Sequence, residues 1–117
     1  MKIPKSAPEA VARFDALRPQ KPNVAVRKMF GQPAAFVNGN LFFGVYGDEV
    51  FVRLAETDRA ELGKVAGAHP LEPMPGRPMS EYVVLPPSVL GDPKRASGWV
   101  ERSLKFAGKL APKAKRA

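Results

Sequence analysis

Apolar residues at Val11, Phe14 and Leu17 recur at helical spacing and predict one buried stripe on a first helix. Ser6-Ala7-Pro8-Glu9 supplies its start: a hydroxyl to accept from an exposed N–H, a carboxylate to reach back, and a proline tolerated in the first turn. The prolines in Arg18-Pro19-Gln20-Lys21-Pro22-Asn23 end that helix in a linker. From Val24 to Leu54 the pattern becomes aromatic and β-branched, with Phe36-Val37, Leu41 to Tyr46 and Val50 to Leu54 separated by Asn38-Gly39 and Gly47-Asp48. Both dipeptides accept positive φ, so the segment predicts a three-stranded antiparallel meander with two tight hairpins.

Thr57 and Asp58 predict the cap of a second helix that turns Leu62, Val65 and Ala66 inward and ends by Gly67. Between Pro70 and Met79 stand four prolines, which restrict that stretch to an edge strand or an ordered loop. Tyr82-Val83-Val84-Leu85 reads as a strand stopped by Pro86-Pro87. Asp92-Pro93 opens a last helix on which Ala96, Trp99, Val100, Ser103, Leu104, Ala107 and Leu110 share one side. The order α-β-β-β-α-β-β-α predicts an α+β fold of two layers, with helices on one face of a mainly antiparallel sheet.

Length and composition narrow the function classes. A chain of 117 residues with 44% hydrophobic content is long enough for one core and too short for two. Residues 1–110 are expected to form the domain and 111–117 a basic, solvated tail. No cysteine is present, so disulfides, thiol nucleophiles and Cys-based zinc sites are excluded. The N-terminal residues carry no apolar leader segment and no stretch approaches the roughly 20 apolar residues of a membrane span, which makes the cytoplasm the expected location and a membrane no expected partner. A net charge of +8 favours acidic partners, although Lys109, Lys113, Lys115 and Arg116 concentrate about half of that excess near the C-terminus.

Little chemistry is legible. His69 is the single histidine, which excludes His-pair metal motifs and leaves any Ser-His-acid triad dependent on that one residue. Gly108-Lys109 lacks the Ser or Thr and the upstream glycine of a phosphate-binding loop, and Ser80, Ser88, Ser97 and Ser103 lack the Gly-x-Ser-x-Gly setting. Asp48-Glu49 marks a hairpin, and Glu56, Asp58 and Glu61 a helix start where negative charge is favoured. No catalytic residue, metal ligand or cofactor is therefore expected.

Interaction is the better reading. Arg27-Lys28 beside Met29-Phe30, and Phe51-Val52-Arg53, interleave cations and aromatics on strands, as single-strand nucleic-acid platforms do and as any strand with one buried face also does. Arg77, Met79 and Tyr82, near Met74 in the proline-rich stretch, are types enriched on partner-binding surfaces. Trp99, among core-facing neighbours, reads as a core anchor.

With these elements in place the chain resembles the N-terminal domain of the TfoX/Sxy competence-regulator family from the first helix to about Leu110. Met29-Phe30-Gly31, Phe36-Val37-Asn38-Gly39-Asn40-Leu41-Phe42-Phe43, Val52-Arg53-Leu54, Arg77-Pro78-Met79 with Tyr82, and the Trp99 helix carry the resemblance. It implies an α-β(3)-α-β(2)-α, secretion-chaperone-like arrangement and brings no catalytic residues. Phe30, Phe36, Phe42 and Val52 are expected on the buried side of the sheet. Full-length regulators of this family carry a further C-terminal domain, whereas this sequence ends in a short basic tail, so a role in switching on DNA-uptake genes is not carried over.

Together these readings favour a non-enzymatic regulatory or protein-interaction module, with another protein or a second copy as partner, through Arg27, Lys28, Arg53, Arg77, Met79 and Tyr82. The alternative is a nucleic-acid-binding domain whose affinity falls with salt. A small-molecule binder or enzyme finds no positive support.

Overall fold

Asn38 and Gly39 both hold positive φ, 51° and 81°, and fold Val37 directly back onto Asn40. This is the two-residue turn whose twist matches that of its flanking strands. Gly47, at φ 67°, does the same between Tyr46 and Glu49. The computed structural model describes residues 8–18, 23–29, 32–74 and 77–110. Ser6, Phe30, Gly31, Pro75, Gly76 and the tail lie outside the described residues.

The order is α1 (Pro8–Leu17), β1 (Val24–Met29), β2 (Gln32–Val37), β3 (Asn40–Tyr46), β4 (Glu49–Arg53), α2 (Glu56–Leu62), β5 (His69–Met74), β6 (Arg77–Val84), α3 (Pro87–Leu90) and α4 (Pro93–Gly108). The strands make one open antiparallel sheet in the order β1-β2-β3-β4-β6-β5. The α+β build matches expectation, with one strand and one short helix more than the predicted order. The additional strand is β1, which takes up Val24 to Met29 and pairs along its whole length with β2. β6 also reaches back to Arg77, because β4 pairs with it only from Tyr82 onward and Pro78 therefore interrupts no ladder to β4.

The helices α1, α2 and α4 pack on one face of the sheet, and α3 packs against α4. The core between the layers is built from Phe14, Val37, Phe42, Phe43, Val45, Val50, Val52, Leu54, Leu62 and Leu85 with Trp99, Val100 and Leu104 of α4. Phe14 stacks on Phe43 with ring centroids 4.7 Å apart. The predicted α4 face is buried as far as Ala107, and Leu110 packs against it. Asp92 caps α4 by accepting from the N–H groups of Lys94 and Arg95, at 3.1 and 3.4 Å.

Three expectations need correction. Helix α2 starts at Glu56 with Ala55 before it and no side-chain cap. The Ala55 carbonyl takes the Arg59 N–H at 2.9 Å, while the Asp58 carboxylate is drawn 3.3 Å from Arg102. The same helix ends at Leu62, so Ala66 lies past its end and is exposed. Phe36 lies on the face opposite the helices, because the Asn38-Gly39 turn pairs Val37 with Asn40 and commits Val37 to the core.

Sheet register breaks once near the core. Ala35 faces Phe43 but Phe36 faces Leu41, so Phe42 is an extra residue bulged out of β3. Phe42 and Phe43, adjacent in sequence, are thereby both buried under the helices. Beyond the last β3–β4 pair, Phe43 with Val52, the Ser103 hydroxyl of α4 bridges the two strands, donating to the Phe42 carbonyl at 2.6 Å and accepting from the Arg53 N–H at 3.1 Å.

Candidate interaction surface

Alternation along each strand sends a second set of residues to the face without helices. Phe51, Leu71 and Val84 form its buried centre, with Leu41, Tyr46 and Tyr82 packed against them. Gly44 lies beneath the Phe51 ring, where an added Cβ would come within 2.8 Å of the ring edge. This glycine is required by a close approach rather than by its φ. Gln32, almost fully buried at the start of β2, accepts from the Gly47 N–H at 2.6 Å and ties the β3–β4 turn to β2.

The structure joins two of the residues singled out from sequence. Arg53 and Tyr82 are a cross-strand pair on β4 and β6, with the guanidinium 5.5 Å from the Tyr82 ring centre and 5.9 Å from that of Phe106 on α4. Glu81 holds the same guanidinium at 2.8 Å from Nε and 2.5 Å from the terminal nitrogen. Arg53 thus fastens the end of β4 to β6 and α4. Burial pushes the Tyr82 phenol above its ordinary value; Arg53 opposes that shift and Glu81 adds to it.

Arg27 and Lys28 lie three strands away from β4 on β1, at the edge of the sheet, and both are exposed. The Arg27 guanidinium is 5.6 Å from the Phe36 ring centre, a cation resting on an aromatic of the neighbouring strand. Their neighbour Val26 is 41% exposed, a large apolar side chain on an edge strand. Arg77 and Met79 stand on β6, across from Met74 and Leu71, and their side chains lie outside the described residues. The six residues therefore fall at separate places, with Arg27 and Lys28 on one edge and Arg53 with Tyr82 toward the other.

The two edges of the sheet differ in chemistry. β5 carries Pro70 and Pro73, which have no N–H to offer, and its pairing with β6 slips twice. β1 contains no proline, pairs in unbroken register with β2, and among the described residues presents its other side to no strand. Prolines and bulges blunt an edge against further pairing, and β1 has neither.

Glu49, Asp58, Glu61 and the histidine are engaged structurally. Asp58 and Glu61 of α2 both meet Arg102 of α4, at 3.3 and 3.1 Å, and Arg102 covers the Trp99 ring at 4.4 Å. His69 places Nε2 2.9 Å from Glu49 and Nδ1 3.0 Å from the Pro70 carbonyl. Among the described residues no group of three or more His, Cys, Asp or Glu could hold a metal ion, and no helix is long and apolar enough to cross a membrane.

A further basic surface lies on α4, away from the strands that carry the cations singled out from sequence. Lys94, Arg95, Arg102, Lys105 and Lys109 occupy the solvent side of α4, opposite its core face. The signal that marks them in the sequence is the helical spacing of cations, not the cation-aromatic interleaving of the strands.

No curated protein and no solved structure matches the chain. A family model described as the TfoX N-terminal domain matches residues 15–107, from within α1 nearly to the end of α4, and so takes in the sheet, the bulge and the helical layer. The chain belongs to the TfoX N-terminal domain family.

Proposed function

We propose that this chain is a non-enzymatic regulatory module that works by strand pairing at β1, with a second copy of itself as the first partner. The observation that carries this reading is the asymmetry of the sheet: one edge is closed by Pro70 and Pro73, and the other is a regular six-residue strand with Val26 exposed on it. An edge of that kind offers a row of backbone donors and acceptors to an incoming strand. A two-fold axis at Val26 would pair β1 with its copy antiparallel, setting Val26 opposite its own counterpart, Arg27 opposite Ala25 and Lys28 opposite Val24 of the other chain. No cation then faces its own counterpart directly, and Val26 loses its exposure.

Multi-angle light scattering across a micromolar concentration series tests the pairing. The expected mass is that of two chains, reverting to one in Val26→Lys, whose added charge would face its own counterpart in the other copy. A mass of one chain at every concentration would rule out self-pairing.

A further inference from the structure

The cations of α4 form a single stripe. At about 100° per residue, Lys94, Lys105, Lys109, Arg102 and Arg95 fall within an arc of about 100°, while Ala96, Trp99, Val100, Ser103, Leu104 and Ala107 fill the opposite side. Glu101 is the acidic side chain at the margin of the stripe, and Arg102 is partly neutralised by Asp58 and Glu61. Lys94 and Lys105 stand about 16 Å apart along the axis.

Two features of the stripe work against the helix that carries it. Lys94 and Arg95 lie in the first turn, which contains no acidic residue, and positive charge there opposes the helix dipole. Gly98 sits mid-helix between them and Lys105, where glycine is a poor helix former. A Cβ on Gly98 would meet nothing within 4 Å, so no internal packing requires its absence. Gly98 leaves the stripe low at its middle, open to a partner that lies across the helix.

We infer that the solvent face of α4 binds the phosphate backbone of duplex nucleic acid without reading its sequence. Charge complementarity selects a polyanion. The face offers no exposed aromatic on which unpaired bases could stack, since Trp99 is only 8% exposed and lies under Arg102. It offers no large exposed apolar side chain to insert into a lipid surface or to anchor a protein interface, Val26 on β1 being the one found among the described residues. A regular run of phosphates requires neither. This function is separate from strand pairing at β1, which lies at the edge of the sheet.

Fluorescence anisotropy with the full chain and a labelled mixed-sequence DNA duplex, over a salt series, tests the inference. Salt-dependent binding is expected, weakened at least about tenfold in Lys94→Glu/Arg95→Glu/Lys105→Glu. The slope of log affinity against log salt should become shallower by roughly 2 to 3, at about 0.9 for each lost phosphate contact. Lys113→Glu/Lys115→Glu in the tail should retain most of the affinity. Thermal melting of the triple variant, expected at or above that of the parent, separates lost binding from lost fold. The inference is overturned if the full chain binds no duplex, if the triple reversal changes nothing, or if the tail reversal alone abolishes binding. It is equally overturned if polyglutamate competes as well as unlabelled duplex at equal charge, or if anionic vesicles bind more tightly than the duplex.

Discussion

Ser103 shows how much one side chain does in this fold. Its hydroxyl satisfies two backbone groups just past the last β3–β4 pair, so Ser103→Ala strands the buried Phe42 carbonyl and the part-buried Arg53 N–H. The expected loss is about 1–3 kcal/mol, read as a lower urea midpoint at unchanged slope. Tyr82 gives a test with a sign. Its raised pKa means that the folded chain keeps the phenolic proton when the unfolded chain has released it. Stability is therefore unaffected below pH 10 and falls as pH rises from 10 through the folded-state value. Melting temperatures of the parent and Tyr82→Phe over that range should diverge, the parent falling faster. Among single residues, those acting locally were legible in the sequence, as Asn38-Gly39 and the Asp92 cap were. Gly44 and Ser103 were not, because their reasons are a ring on another strand and backbone groups on other elements.

Elements were legible where periodicity and punctuation agreed. Helix α4 combined a proline start, an acidic cap and an unbroken apolar stripe, and its buried face is the one its spacing predicts. Strand β1 is poorly marked in the sequence because Ala25, Val26, Arg27 and Lys28 show no alternation of apolar and polar residues, and all four are exposed. Helix α2 was displaced by two capable capping residues, Thr57 and Asp58, one of which is used instead in an ion pair to α4. The same helix-level reasoning gives a prediction for α4. Gly98→Ala should stabilise the chain by about 0.5–1 kcal/mol, since it restores helix propensity and meets no neighbour. A shift of the melting midpoint upward by several degrees would register it. An unchanged or lower midpoint would mean that Gly98 serves the helix in a way its surroundings do not show.

At the scale of the molecule, the two-layer plan follows from the hydrophobic pattern, while the placement of the interaction residues does not. Arg53 and Tyr82 meet because β4 pairs with β6 across an intervening helix in sequence, and Arg27 and Lys28 reach an edge because β1 pairs only with β2. Neither relation is local, so spacing along the chain carries no trace of it. The difference between the two edges also limits what assemblies this chain can build. Growth of a continuous sheet through many copies requires each added molecule to offer a fresh edge to the next. An addition through β1 would leave the two β5 strands as the free edges, in which Pro70 and Pro73 have no N–H to offer. The proposed strand pairing would thus end at the first addition and give a closed pair instead of a fibre.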